Sequence, residues 1–201
     1  MLPSPTENRS VVLVHGLFRQ SAVFRKLVAA LEREGFTVFA PNLKSERAQL
    51  GLENMAAQLA AFIDRALPKT CPFSLVGLSM GGLVARYYLQ QLGGRDRVNC
   101  FVTIATPHYG THLARLLPHK TIAQMRPGSA FLEQLNRDLG VLSKIPIAFL
   151  WTTWDFIVVP SENARLPWGR EVKLNIFAHA MMVRDDRAIA AAIAILETRS
   201  S

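Results

Sequence analysis

Cysteine and charge are both scarce in this chain of 201 residues, and each scarcity argues against a class of protein. With only two cysteines, Cys71 and Cys100, it is neither a disulfide scaffold nor a zinc site built from four cysteines. Charged residues make up 19% of the chain and hydrophobic residues 50%, a balance that argues against an intrinsically disordered protein. No apolar run approaches the roughly 18 residues that a membrane span needs. We therefore predict one soluble globular domain over residues 1–201.

The chain also lacks a visible export signal and a group of metal ligands. Residues 1–10 contain no apolar core of the kind a signal peptide carries, so we expect a cytoplasmic protein with reduced thiols. His108 and His112 have the spacing of two ligands on one helix, but Pro107 and Gly110 disfavour a helix there. We expect neither a metal nor a cofactor.

Positive charge is in excess, because 23 Lys and Arg oppose 15 Asp and Glu and leave a net charge of +8. Such an excess favours anionic membrane surfaces, nucleic acid or acidic substrates as partners. The basic residues are scattered, however, with Arg95-Asp96-Arg97 as the densest group, and no basic block or RNA-binding aromatic signature appears. We expect no nucleic-acid partner, and peripheral contact with an anionic membrane surface stays open.

Hydrophobic runs alternate with helical patterns along nearly the whole chain. Strand, helix, strand repeated in this way predicts an α/β fold with a mostly parallel sheet and helices on both faces. Ligands bind beyond the carboxyl ends of the strands in such sheets. The predicted strands are Ser10 to Val14, Phe36 to Ala40, Phe73 to Leu78, Val98 to Thr106, Pro146 to Thr152 and Val172 to Phe177. The predicted helices between and after them are Ser21 to Glu34, Leu50 to Leu67, Met80 to Leu92 and Ala180 to Leu196.

One connection is longer than a simple crossover needs. The segment 107–145, between the fourth and fifth strands, has 39 residues. It contains two helical patterns, Leu113 to Leu117 and Ala130 to Leu139, and Ser129 is placed to cap the second. An insertion over the strand ends predicts a lid or a wall of a substrate pocket.

The motif G-x-S-x-G occurs once, as Gly77-Leu78-Ser79-Met80-Gly81. A predicted strand runs straight into it and a predicted helix leaves it, which is the setting of a nucleophile at a sharp turn. The glycines permit the turn, and the helix N-terminus favours negative charge beside Ser79. The alternative is a glycine-rich turn with an N-cap serine. We interpret Ser79 as a nucleophile.

A serine nucleophile needs a base, and the base is in turn oriented by an acid. In this turn geometry the chain order is serine, acid, histidine. His179, just past the sixth strand, satisfies that order, because His15 precedes the serine and the other histidines lie in the insertion. Asp155, directly after the fifth strand, is the predicted acid, and Glu162 is the reserve.

Two backbone N–H groups are expected to hold the oxyanion of the tetrahedral intermediate. One is the N–H of Met80, the residue after the nucleophile. The other belongs to the loop after the first strand, where Gly16 lets the chain turn so that the N–H of Leu17 faces the site; Phe18 is the alternative donor. His15 is expected to brace this loop through hydrogen bonds.

Apolar residues of the insertion, with Phe18 beside the oxyanion loop, are candidates for an acyl pocket. Met125 and Phe131 either line that pocket or pack the insertion's helices onto the domain. His108 either lines the site near Ser79 or completes the turn after the fourth strand. The candidate substrate-binding residues are therefore Phe18, His108, Met125 and Phe131.

At these residues the sequence resembles the lipase and esterase branch of the α/β-hydrolase family, with small bacterial lipases as the nearest type. The matching segments are His15-Gly16-Leu17, Gly77 to Gly82 with Tyr87-Tyr88, Asp155 before Ile157-Val158, His179, Thr106 to Thr111, and Met125 to Ser129 with Phe131-Leu132. The resemblance spans residues 11 to 183 and implies catalytic roles for Ser79, Asp155 and His179. It also implies a minimal six-stranded sheet in the family order 4-3-5-6-7-8, without the family's first hairpin.

The function expected from these residues is hydrolysis of a small-molecule or lipid ester. A serine carboxylester hydrolase would cleave apolar acyl esters through an acyl-enzyme. A thioesterase, a phospholipase and an acyltransferase use the same triad, and fold and triad do not separate them. A non-catalytic module that binds lipid or membrane is the alternative from another class.

Overall fold

A six-stranded sheet forms the centre of the molecule in the computed structural model, which describes residues 9–17, 20–43 and 51–198. Every strand pairs in parallel with its neighbours, and the order is β2-β1-β3-β4-β5-β6. This is the order that the resemblance implied, so the predicted fold class is confirmed. The strands are β1 (Ser10–Val14), β2 (Thr37–Phe39), β3 (Phe73–Leu78), β4 (Val98–Ile104), β5 (Ile147–Trp151) and β6 (Arg170–Lys173).

Helices cover both faces of the sheet and bury a separate apolar core on each. The α-helices are α1 (Arg25–Arg33), α2 (Gly51–Ala66), α3 (Met80–Gln91), α4 (Lys120–Ala123), α5 (Ala130–Arg137) and α6 (Asp186–Glu197). Side chains alternate along β1, so that Val12 and Val14 enter the core under α2, α3 and the insertion. Val11 and Leu13 enter the other core, under α1 and α6. Within the described ranges, no helix combines the length and apolar character that a membrane crossing requires.

Two predicted strands extend two or more residues beyond the observed strands at their carboxyl ends. The strand predicted as Val172 to Phe177 begins earlier, at Arg170, and pairs with β5 only as far as Lys173, because β5 itself ends at Trp151. The rest of the run leaves the sheet as a loop. The fourth strand ends at Ile104, because Ala105 has φ 49° and turns the chain out of the extended conformation.

The predicted terminal helix, Ala180 to Leu196, is in fact two elements. A 3₁₀ turn spans His179–Val183, and α6 begins only at Asp186. Asp185 interrupts the pattern because its carboxylate accepts the backbone N–H of Arg187, as an N-cap does. Because of this break, His179 begins a tight turn and Arg184 directly follows that turn, so that neither residue lies on a long helix.

A buried arginine on α3 is a main hydrogen-bonding contact between this helix and the insertion. Arg86 donates from Nη2 to the carbonyl oxygen of Leu135 at 2.9 Å and to Oδ1 of Asn136 at 3.0 Å, both on α5. Its Nη1 donates to the carbonyl oxygen of His108 at 3.3 Å. Burial lowers the pKa of Arg86 to about 10, so the guanidinium remains charged at neutral pH. As predicted, Ser129 caps α5 by accepting the N–H of Leu132.

The first helical pattern of the insertion folds more tightly than predicted. In place of a helix over Leu113 to Leu117, a 3₁₀ turn spans His112–Arg115. Thr111 caps this turn by accepting the N–H of Leu113. The short helix α4 follows it, and the sequence had given no signal for α4.

Candidate active site

Ser79 lies at a sharp turn between β3 and α3, with backbone angles φ 53° and ψ −125°. A residue other than glycine rarely adopts a positive φ, so this conformation has to be held by its surroundings. Two glycines make the close packing possible: a Cβ on Gly81 would lie 2.1 Å from the carbonyl oxygen of Val14, and one on Gly82 would lie 2.0 Å from Oγ1 of Thr106. The turn therefore packs between the ends of β1 and β4 and leaves the Ser79 side chain half-buried at the carboxyl end of the sheet.

His179 and Asp155 form a hydrogen-bonded pair at the ends of neighbouring strands. Nδ1 of His179 lies 2.7 Å from Oδ2 of Asp155. The other carboxylate oxygen, Oδ1, accepts the backbone N–H groups of Ile157 at 2.8 Å and Val158 at 2.9 Å. Asp155 is buried, so these partners fix its orientation. With the proton on Nδ1, the Nε2 atom of His179 is a proton acceptor.

One cavity of about 530 Å³ joins Ser79 and His179. Its wall is largely apolar, and much of that wall comes from the insertion. Met125 lines it, in keeping with one of the two interpretations of that residue. The lining residues are Gly16, Leu17, Val23, Leu78, Ser79, Thr111, Leu113, Ala114, Leu117, Ile122, Met125, Ile157, His179, Ala180, Val183 and Arg184.

The loop after β1 runs against the nucleophile turn. A Cβ on Gly16 would lie 3.3 Å from Cβ of Ser79, and Leu17 lines the same cavity. His15 braces the loop, as predicted: Nδ1 lies 2.9 Å from the carbonyl oxygen of Gly16, and Nε2 accepts the N–H of Leu43 at 3.0 Å. Met80 is the first residue of α3, where a backbone N–H has no helical partner.

Two of the predicted substrate-binding residues lie elsewhere in the fold. His108 is fully buried, with Nε2 3.1 Å from Oγ1 of Thr103 and Nδ1 3.5 Å from Nη1 of Arg86. Burial, and secondarily the nearby Arg86 charge, hold the pKa of His108 well below its usual range, so its ring is neutral. Phe131 is buried and stacks on Tyr87, with ring centroids 5.7 Å apart. Both contacts belong to the packing of the insertion, which is the alternative interpretation of each residue.

Phe18, the remaining predicted substrate-binding residue, lies outside the described residues. Two polar residues of the cavity lining were missed by the sequence reasoning. Thr111 falls in a segment that the resemblance had singled out, but no pattern indicated that it lines the cavity. Arg184 was one scattered basic residue among many, and nothing in its neighbourhood distinguished it. In residues 9–17, 20–43 and 51–198, no group of three or more His, Cys, Asp or Glu side chains is placed to hold a metal ion.

Known proteins of similar sequence or structure share this architecture. The sequence profile of a family described as the alpha/beta hydrolase fold matches residues 9–137. A metagenome-derived lipolytic enzyme is 17% identical with a TM-score of 0.75, over 96% of this chain and 95% of that one. The mature form of a lipase from Bacillus licheniformis is 16% identical with a TM-score of 0.76, over 96% and 94%. A monoacylglycerol lipase from Paleococcus ferrophilus is 18% identical with a TM-score of 0.72, over 97% and 96%. At these identities the structural likeness shows a common fold.

Proposed function

This chain belongs to the family of the alpha/beta hydrolase fold, and from that premise we propose that it is a serine carboxylester hydrolase that cleaves apolar acyl esters. The observation that carries the proposal is the 2.7 Å contact between His179 and Asp155 beside a cavity that Ser79 also lines. A strained serine turn, a histidine oriented by a carboxylate and an apolar cavity together fit acyl transfer better than binding alone.

In the proposed first half-reaction, Oγ of Ser79 attacks the ester carbonyl carbon while Nε2 of His179 takes the hydroxyl proton. Asp155 keeps its negative charge and stabilises the imidazolium. The tetrahedral intermediate collapses when the bond from the carbonyl carbon to the alcohol oxygen breaks, and His179 passes its proton to that oxygen. The products are the free alcohol and an acyl group on Ser79.

The second half-reaction repeats these steps with water as the nucleophile. His179 takes a proton from water, the hydroxyl attacks the acyl carbon, and the proton returns to Ser79 as the carboxylic acid leaves. We assign the N–H groups of Leu17 and Met80 to the oxyanion. Support for this comes from the position of Met80 at the start of α3 and from the close approach of Gly16 to Ser79.

The cavity supports an apolar acyl group as the part of the substrate that is recognised. Its volume of about 530 Å³ falls in the usual range for small-molecule sites, roughly 300–1,000 Å³. Met125 is one of the apolar side chains on the insertion side. The similar structures include proteins described as lipolytic enzymes and lipases, which agrees with a lipid ester as substrate.

Exposed apolar side chains surround the cavity mouth and support peripheral contact with an anionic lipid surface. Leu113, Leu117 and Ile157 line the cavity and are 39%, 50% and 46% exposed. Phe156 directly precedes Ile157 in the sequence, and Phe177 lies two residues before His179. The rings of Phe156 and Phe177 pack edge to face with centroids 5.6 Å apart. The net charge of +8 complements an anionic lipid surface.

Cys71 and Cys100 are both thiols, which suits the reducing cytoplasm as the proposed location.

The test is hydrolysis of p-nitrophenyl esters from acetate to laurate, with Ser79→Ala beside the wild type. Ser161→Ala, which changes a serine on a surface turn, is the matched control. We expect activity in the wild type and the control, loss in Ser79→Ala, and a rate that rises with acyl length. A fluorophosphonate should label the wild type and the control but not Ser79→Ala.

Other outcomes would change the proposal. Full turnover by Ser79→Ala would contradict the assigned nucleophile. Inactivity on every ester, with rapid cleavage of octanoyl-coenzyme A, would identify a thioesterase in place of a carboxylester hydrolase. Failure of both substrates and of fluorophosphonate labelling, in a folded protein, would favour the non-catalytic lipid-binding alternative.

A further inference from the structure

Arg184 is an exposed residue that contributes to the lining of a cavity whose wall is otherwise apolar or neutral. Among the described lining residues it is the sole Lys, Arg, Asp or Glu. It directly follows the 3₁₀ turn that begins at His179, and its backbone N–H donates to the carbonyl oxygen of Met181 at 2.9 Å. The turn therefore fixes the position of the Arg184 backbone relative to His179.

The acidic residues next to Arg184 in sequence are already engaged by other cations. Asp185 accepts Nε and Nη2 of Arg187 at 2.9 and 2.8 Å. Asp186 lies 2.8 Å from Nζ of Lys26. In the part of the chain that the structure describes, no carboxylate lies within 4.0 Å of the Arg184 guanidinium. Its charge is therefore available to a ligand.

The position of Arg184 indicates which part of a substrate it meets. In the proposed reaction, His179 gives its proton to the departing alcohol oxygen, so the alcohol part lies on the His179 side of the cavity. Arg184 belongs to that same side. The insertion contributes Ile122, Met125 and other apolar residues to the lining, and this part of the wall suits the acyl chain.

We propose that Arg184 selects esters whose alcohol part carries an anionic group, a phosphate or a carboxylate, while the acyl part is apolar. This inference rests on the proposed function and narrows its substrate class. A planar guanidinium pairs with either anion through two parallel N–H···O bonds. The absence of a lining carboxylate among the described residues means that no negative charge on the cavity wall opposes such a ligand.

The experiment compares two pairs of esters that share one acyl chain, and within each pair one alcohol part is anionic and the other is neutral. The neutral probe is 1-octanoylglycerol, and the phosphate probe is 1-octanoylglycerol 3-phosphate. The octanoate ester of 3-hydroxypropanoic acid is the carboxylate probe, with the ester of 3-hydroxypropanamide as its neutral partner. Release of octanoate gives kcat/KM for each probe, measured below the concentration at which the probes form micelles.

The variants are Arg184→Gln, Arg184→Lys and the control Arg137→Gln, which removes an exposed charge from α5 away from the cavity lining.

We expect the wild type to favour at least one anionic probe over its neutral partner by about tenfold, the size of one charge-assisted hydrogen bond at a partly exposed site. That ratio should fall toward one in Arg184→Gln, be partly kept in Arg184→Lys, which retains the charge but not the paired N–H donors, and be unchanged in Arg137→Gln. Preference for the phosphate probe alone, or for the carboxylate probe alone, would identify the anion. A tenfold ratio kept in Arg184→Gln would overturn the role of Arg184.

The neutral probes separate this inference from the proposed function. If the wild type cleaves 1-octanoylglycerol but does not favour either anionic probe, the hydrolase proposal stands and the selection by Arg184 is wrong. If the wild type cleaves none of the four esters, the hydrolase proposal and this inference fail together.

Discussion

Thr111 donates its hydroxyl to the carbonyl oxygen of Ile157 at 2.6 Å, and so joins the insertion to the loop that carries Asp155. The same Oγ1 accepts the N–H of Val159 at 3.0 Å. The carboxylate of Asp155 accepts hydrogen bonds from the N–H groups of Ile157 and Val158. Thr111 and Asp155 therefore position the same loop from two sides. A wall of the cavity and the orientation of His179 therefore depend on each other.

Thr111→Val should lower both stability and turnover. Valine keeps the shape but leaves the Ile157 carbonyl and the Val159 N–H without their partner, a loss of about 1–3 kcal/mol in the free energy of unfolding. Urea denaturation measures the stability and p-nitrophenyl ester hydrolysis measures kcat. Thr198→Val, which removes a hydroxyl bond at the end of α6, should stay within about 0.5 kcal/mol. Equal effects of the two substitutions would contradict a special role for Thr111.

Asp155→Asn should reduce kcat by about 10⁴-fold while the protein stays folded. The asparagine Oδ1 can still accept the backbone N–H groups of Ile157 and Val158, so the loop is retained. Its amide, however, donates toward Nδ1 of His179 and stabilises the tautomer whose Nε2 cannot take a proton. Steady-state kinetics beside Glu162→Gln check this, since that exposed reserve acid should be dispensable. A reversed pattern would move the acid to Glu162.

Much of the sheet and the site could be predicted because the signals for them are local. β1 and β3 have the bounds that their apolar runs predict, and the glycines around Ser79 predict its turn. His15 directly follows the first strand, which places it to brace the loop through hydrogen bonds, and it bonds to Gly16 and Leu43.

The parts that could not be predicted depend on contacts distant in sequence. β6 ends at Lys173 because its partner strand ends, and the run from Val172 carries no sign of that. His108 and Phe131 have side chains suited to a pocket, but Arg86 and Tyr87 on α3 take them as packing partners. Arg184 reaches the cavity only because the terminal helix breaks at Asp185.

The buried His108 should make the fold sensitive to acid. Its folded pKa is below its unfolded value of about 6.5, because burial disfavours the charged ring. The unfolded chain therefore binds a proton at that ring first, and stability is lost as pH falls below about 6.5, down to the folded pKa. The slope contributed is up to about 1.4 kcal/mol per pH unit. Urea titrations of wild type and His108→Gln from pH 7.5 to 5 measure it; parallel stability curves for the two proteins would exclude His108 as the source.

Phe177→Ser should weaken binding to anionic lipid vesicles by about tenfold, the lower end of the effect of withdrawing one aromatic side chain from an apolar phase. Phe177 is 68% exposed and contacts Phe156 and Trp154, so it is the centre of the aromatic cluster beside the cavity mouth.

Cosedimentation with phosphatidylcholine vesicles, with and without phosphatidylglycerol, measures the fraction of protein that is bound to lipid. The control is Leu92→Ser: Leu92 is 41% exposed but lies at the end of α3 opposite Ser79, about 20 Å along the helix. Binding should depend on phosphatidylglycerol and weaken with salt, because the net charge of +8 contributes to it. Equal binding by Phe177→Ser and Leu92→Ser would mean that charge alone brings the protein to the lipid and that the aromatic cluster does not enter it.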